Sequence, residues 1–140
     1  VLRVVLDANV YVSALIRPEG PPGQIMKRFL GEASFEIVLS LAIVEETVRA
    51  FGYPRVRKYI HASVDPALWF EDAIVLAQFV GGDYEIEGVS EDADDDKYFA
   101  AAVEGRATLI VTGDPDLLTV KEYRGVRVVT PRTFLDLLSG

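Results

Sequence analysis

Asp7, Glu46, Asp96 and Asp114 are the residues of this 140-residue chain best suited by type and spacing to do chemistry. They belong to four acidic clusters: Asp7 with Asn9; Glu45 and Glu46; Asp92, Asp94, Asp95 and Asp96; and Asp114 with Asp116. Asp7 ends the apolar run LRVVL, and Asp114 follows the apolar run TLIV, which closes at Thr112. A strand of continuous apolar residues is buried on both faces, as in a parallel sheet covered by helices. In such sheets the ligand crevice lies beyond the carboxyl ends of the strands. Carboxylates far apart in sequence then meet at one edge. Two ionised carboxylates about 4 Å apart repel by roughly 4 kcal/mol at an effective dielectric of ~20. A hard divalent cation is the simplest group to offset that repulsion.

The chemistry that suits such a cluster is phosphoryl transfer to water. Mg²⁺ takes oxygen ligands, keeps several waters, and is held by a few carboxylates plus substrate phosphates. It acidifies water and stabilises the attacking and leaving oxygens of a displacement. No histidine base or cysteine nucleophile is then needed, and the chain has one histidine and no cysteine. Taken singly, each cluster has a plainer reading. Asp92 and Asp94 suit a helix cap or a dipole partner. Glu45 and Glu46 suit a solvated helix face, and TGDPD suits a turn. Asp7 resists that treatment, because an ionisable group ending a buried strand is costly without a partner. The conjunction of all four at one sheet edge favours function.

Stepping outward, the length predicts one domain over residues 1–140, with half the residues hydrophobic and about a quarter charged. A net charge of −8 argues against a general electrostatic nucleic-acid binder, but not against an enzyme acting on nucleic acid. The absence of cysteine excludes disulfides and thiolate metal sites, and a single histidine disfavours zinc. No apolar run approaches the ~20 residues that cross a bilayer, and the start does not resemble a signal peptide. A cytoplasmic protein with no membrane partner is the expectation. One Asn, two Gln and one Met are compatible with a thermophilic source.

The elements that must position the acids alternate along the chain. Strands are expected at LRVVL, FEIVLS, YEIEGV, TLIV and VRVV. Helices are expected at NVYVSALI, QIMKRFLGE, LAIVEETVRAF capped by Ser40, a short basic piece in GYPRVRKYI, DPALWFEDAIVLAQFV capped by Asp65, EDADDDKYFAAAVEGR, and PRTFLDLLSG. RPEGPPG reads as a break. The alternation predicts βα units with right-handed crossovers, hence a three-layer α/β domain with a mostly parallel sheet.

LDANVYVSALI, the Ser40-to-Glu46 spacing, DDDKYFAAAVEGRATLIVTGDPDLL and RVVTPRTFLDLL, in that order, resemble the PIN domain family. Within it the likeness is to toxin components of toxin–antitoxin systems related to VapC-type toxins, and it runs from Val4 to Leu138. The resemblance implies a three-layer α/β/α fold around a mostly parallel sheet of about five strands. It implies a Mg²⁺- or Mn²⁺-dependent endoribonuclease of the FEN-like group, cutting RNA to leave a 5′-phosphate and a 3′-hydroxyl. Carried over, the family acids fall on Asp7, Glu46, Asp96 and Asp114 as catalytic and metal-binding residues. Glu46 lies six residues after Ser40, and Asp96 sixteen before Thr112, with Phe99 and Ala100 packing beneath it. Asp116 is implied as a further ligand or outer acid, with Asn9 and Thr112 in support and Asp92 and Asp95 as substitutes or outer-shell groups. Ala93 departs from the proline that relatives in this branch often carry. The family also implies homodimers and an antitoxin covering the site.

Arg49, Arg55, Arg57 and Lys58 interleave with Tyr53 and Tyr59, a pattern suited to single-stranded RNA. The competing reading is that these cations pair with surplus surface acids. His61 reads as a helix-end or surface residue, and Trp69 with Phe70 as core or dimer packing. A haloacid-dehalogenase-like phosphatase would need a second Asp where Asn9 stands, and a phospho-receiver a lysine where Arg132 stands. A dinucleotide site would need a glycine-rich turn after the first strand. The remaining alternative is a PIN-type RNA- or partner-binding module with negligible turnover.

Overall fold

The computed structural model describes residues 1–32, 34–86, 88–90 and 92–140. Among them, β1 (Arg3–Leu6), β2 (Glu36–Leu39), β3 (Gln78–Phe79), β4 (Leu109–Val111), β5 (Glu122–Tyr123) and β6 (Val126–Val129) form a sheet ordered β3-β2-β1-β4-β6-β5. All neighbours run parallel except β5 and β6. The helices are α1 (Ala8–Ile16), α2 (Pro21–Glu32), α3 (Leu41–Phe51), α4 (Pro54–Arg57), α5 (Pro66–Leu76), α6 (Asp96–Glu104), α7 (Pro115–Leu118) and α8 (Pro131–Ser139). The result is the expected three-layer α/β/α arrangement, with six strands rather than five.

The apolar runs form strands because both of their faces are covered. Val4, Val5 and Leu6 of β1 and Ile110 and Val111 of β4 have no exposed surface. α1 packs on α2 and α3, α2 on α8, and α3 on α5, whereas α6 lies against β1, β2, β4 and β6. Four parallel strands run almost directly into helices. Asp7, Ser40, Asp114 and Thr130 cap α1, α3, α7 and α8, each accepting a backbone N–H at the first turn. Four helix N-termini therefore share one edge of the sheet.

Three elements differ from the sequence reading. The helix expected over 65–80 stops at Leu76, and Gln78–Phe79 pairs with Val38–Leu39 as an edge strand. YEIEGV forms no strand at residues 84–86, and Glu87 lies outside the described residues. Its neighbours spend their amides on α6 instead. Gly81 and Gly82 donate to Glu104 at 3.2 and 3.0 Å, while Gly88 and Ser90 donate to Asp96 at 3.0 and 3.1 Å. The crossover between β3 and α6 is thus hung from the two ends of that helix. The added strand β5 arises from a tight hairpin at Arg124 and Gly125, both with positive φ (49° and 82°). Two such residues match the twist of flanking strands, and Arg is an unusual occupant of the first position.

Candidate active site

Strand register builds the floor of the site. Leu6 pairs with Val111, so the next residues, Asp7 and Thr112, lie side by side. Asp7 N–H donates to Val111 O at 3.0 Å and Thr112 N–H to Val129 O at 2.9 Å, which pins both strand ends. The Thr112 hydroxyl donates to Asp7 Oδ2 at 2.7 Å and accepts the Asp114 N–H at 2.9 Å. Asp7 Oδ1 accepts the Asn9 N–H at 3.2 Å. Asp7 is only 3 % exposed, and burial raises its carboxyl above the usual range, opposed by the Thr112 and Asn9 hydrogen bonds and reinforced by Glu46.

Around that floor, Asp7, Glu46, Asp92, Asp95 and Asp114 line one cavity of about 230 Å³, together with Asn9, Ala50, Tyr53, Arg55 and Tyr98. Glu46 faces inward from α3 while Glu45 is exposed. Asp114 caps α7 through the Asp116 N–H at 2.9 Å, and Asp116 itself is exposed and outside the lining. Asp92 caps the single 3₁₀ turn Ala93–Asp95. Asp95 at the end of that turn is buried, and its Oδ2 has no hydrogen-bond partner. Burial, then the charges of Asp114, Asp92, Asp7 and Glu46, push its carboxyl up to about 7.

Asp96 lies apart from the other expected acids. Its two oxygens accept the Gly88 and Ser90 amides, and it is absent from the cavity lining. Asp95 stands in the cavity instead. One residue is about 100° of helix rotation, so neighbouring aspartates at a helix start face different surroundings.

Sequence reasoning did not single out Tyr98. Its ring is 1 % exposed, its oxygen accepts the Ala8 N–H at 3.2 Å, and its hydroxyl donates to Glu46 Oε2. Burial and the charge of Asp7 raise its pKa, which keeps it a neutral donor. The available signal was its position three residues after Asp95, on the same helix face. Lys97 Nζ lies 3.0 Å from the same Glu46 oxygen. Arg55 alone of the four nominated cations reaches the cavity wall, with Arg49, Arg57 and Lys58 exposed outside it. Among the described residues none of the four forms a salt bridge.

The donor set is entirely hard oxygen, which fits Mg²⁺ or Mn²⁺ and not a soft metal. The unpartnered buried Asp95 oxygen and the excess of carboxylates over cations fit the same ion. Among the described residues, however, no three acids are drawn together into a formed ligand group. A larger hollow of about 330 Å³ between α1 and α2 contains Arg17 as its one charged lining residue and no carboxylate.

A mostly parallel α/β/α sheet with carboxylates at its carboxyl edge matches a PIN-type architecture, and the sequence model of the PIN domain family matches residues 3–116. The chain belongs to the PIN domain family, whose members are generally nucleases. It is similar to the uncharacterized protein MJ1680 of Methanocaldococcus jannaschii, at 29% identity over 143 residues, covering 96% of this chain and 90% of the relative. In fold it resembles a chain of VapBC2 from Rickettsia felis, solved bound to a DNA fragment from their promoter. The TM-score there is 0.57 with 10% identity, covering 92% of this chain and 98% of the other. PAE2754 from Pyrobaculum aerophilum gives a TM-score of 0.52 and 15% identity over 99% of this chain and 90% of that one.

Proposed function

We propose that residues 1–140 form one PIN domain that acts as a Mg²⁺- or Mn²⁺-dependent endoribonuclease, the toxin of a toxin–antitoxin pair. The observation that carries the reading is the meeting of five carboxylates, from four separate segments, in one cavity at the sheet edge. Asp7, Glu46, Asp95 and Asp114 are the proposed metal-holding acids, with Asp92 beside them. Asp95 takes the place first expected for Asp96, which anchors the crossover, and Asp116 serves at most as an outer acid.

A bound Mg²⁺ or Mn²⁺ supplies positive charge against the phosphate and acidifies the attacking water. The chain's own residues fix the acids that hold it. Thr112 and Asn9 orient Asp7; Tyr98 and Lys97 orient Glu46; the Asp116 N–H orients Asp114. In the hydrolysis, the water oxygen bonds to phosphorus as the P–O3′ bond breaks, leaving a 5′-phosphate and a 3′-hydroxyl. Arg55 at the rim, with Arg49, Arg57 and Lys58 beyond it, supplies contacts for the RNA backbone.

The VapBC2 complex supports a protein antitoxin as partner. Exposed Val75, Leu76 and Phe79 support a homodimer. No helix among the described residues is long and apolar enough to cross a membrane, which accords with a cytoplasmic address. The open spacing of the acids favours one alternative, a PIN-type RNA- or partner-binding module with negligible turnover.

The test is cleavage of a single-stranded RNA across Mg²⁺ and Mn²⁺ titrations, for the wild type, Asp7→Asn and Asp95→Asn. Cleavage that appears with metal and vanishes in both variants is expected. Cleavage indifferent to metal or to both substitutions would overturn the assignment, and RNA binding without turnover would select the alternative.

A further inference from the structure

Among the described residues, Tyr53 and Arg55 make the one stretch of the acid cavity's wall that carries an aromatic ring open to solvent beside a cation. The core does not require Tyr53 there. Its neighbours Phe51 and Val56 are buried, whereas Tyr53 is 37 % exposed. Its hydroxyl caps nothing, and its backbone alone starts α4, where Pro54 fixes the first helical position. The Arg55 guanidinium sits 5.5 Å from the ring centroid. In a chain with 22 acidic residues, Arg55 has no carboxylate partner among the described residues. A second hollow, lined by Tyr53, Pro54 and Arg55, opens beside the acid cavity and shares two of its lining residues.

A polyanion approaching five carboxylates and a net charge of −8 gains little from long-range attraction. Affinity must come from contacts that carboxylate charge does not oppose. Stacking of a base on an aromatic face is such a contact, and a neighbouring Arg adds to it. The backbone that carries the ring is fixed by the proline-started turn, and a Tyr side chain has only two torsions to lose when a base lands on it.

We propose that Tyr53 is the seat of one unpaired nucleobase, with Arg55 holding the adjoining phosphate, so that the next phosphodiester enters the acid cavity. The substrate class is therefore single-stranded nucleic acid. The seat rests on the nuclease reading above and names what that cavity accepts. Tyr59 is the internal comparison. It too has a cation over its ring, Lys58 at 5.1 Å, but it does not line the cavity.

The experiment compares wild type, Tyr53→Leu, Tyr53→Trp and Tyr59→Leu by two readouts. One is kcat and KM on a single-stranded RNA oligonucleotide; the other is anisotropy of the labelled oligonucleotide with Ca²⁺ in place of Mg²⁺. Tyr53→Leu should raise both KM and Kd by about 5- to 100-fold, with kcat changed by far less. Tyr53→Trp should restore affinity, Tyr59→Leu should match the wild type, and the duplexed oligonucleotide should bind poorly. Equal losses in Tyr53→Leu and Tyr59→Leu, no loss in Tyr53→Leu, or equal affinity for the duplex would each overturn the seat alone. The same loss on single-stranded DNA supports a seat indifferent to the sugar; a loss on RNA alone supports one that also reads it. Wild-type protein that neither binds nor cuts any nucleic acid overturns the nuclease reading and the seat together.

Discussion

The Thr112 hydroxyl donates to Asp7 Oδ2 at 2.7 Å, joining residues 105 positions apart in the sequence. The bond exists because β1 and β4 are parallel neighbours in matched register, so their first residues beyond the sheet abut. Both partners are buried. Thr112→Val keeps the shape and strands the acceptor. It should lower unfolding free energy by about 1–3 kcal/mol and raise the Mg²⁺ concentration needed for half-maximal cleavage. Urea denaturation reads the first and a metal titration the second; a variant with unchanged values for both would refute the role.

Asp95 and Asp96 are adjacent and chemically identical, yet their substitutions should have opposite signatures. Asp95→Asn removes a crowded charge, so metal-free protein should melt higher while its stabilisation by Mn²⁺ is lost. Asp96→Asn weakens a carboxylate that accepts two backbone amides, at a cost of about 1.5–3 kcal/mol. It should keep the Mn²⁺ response. Thermal melts with and without Mn²⁺ separate the two, and a reversed pattern would restore Asp96 as the metal-facing acid.

Protonation should show in stability against pH. The Asp95 carboxyl at about 7 lies well above the ~3.9 of an unfolded aspartate. Between those values the native state holds a proton that the unfolded state has released, so stability falls as pH rises across that window. The raised Asp7 carboxyl acts in the same direction. Metal must displace the proton, so the gain in melting temperature on adding Mn²⁺ should be larger at pH 8 than at pH 5.5. Melting temperatures that rise with pH in metal-free buffer would contradict the crowding of these acids.

Arg55 and Arg57 give a prediction in salt. Each phosphate contact to a single strand contributes a slope of about −0.7 to log K against log salt. Reversing Arg55 and Arg57 to Glu should weaken RNA binding and flatten that slope by roughly 1.4 if each makes one contact. Anisotropy titrations at several salt concentrations measure it, and an unchanged slope would remove both residues from the RNA path.

Much of this was readable before any coordinates. The runs ending at Asp7 and Thr112 marked the central strands because only a doubly covered strand is apolar throughout. Ser40, Asp65 and Pro131 marked helix starts by their capping chemistry. The phase of α6 was not readable, because Asp94, Asp95 and Asp96 offer the same side chain at successive rotations and only packing chooses among them. Gln78–Phe79 and Glu122–Tyr123 were missed because a two-residue strand has no periodicity to detect. YEIEGV alternates as a strand should, but carboxylates from another helix claim the neighbouring amides. Tyr98 reads as an ordinary core aromatic until the Glu46 and Ala8 contacts give its hydroxyl a task.

The crossover suspended between Glu104 and Asp96 behaves like a hammock. Its two hooks belong to one rigid rod, nine residues or roughly 12 Å long. The span between them can therefore be lengthened or rewritten without dragging the acid-lined edge along, since each doubling of loop length adds only about 0.6 kcal/mol of closure cost. A graft spliced between Gly82 and Gly88 would inherit a fixed address beside the cavity, which makes this span the natural place to install a new recognition element.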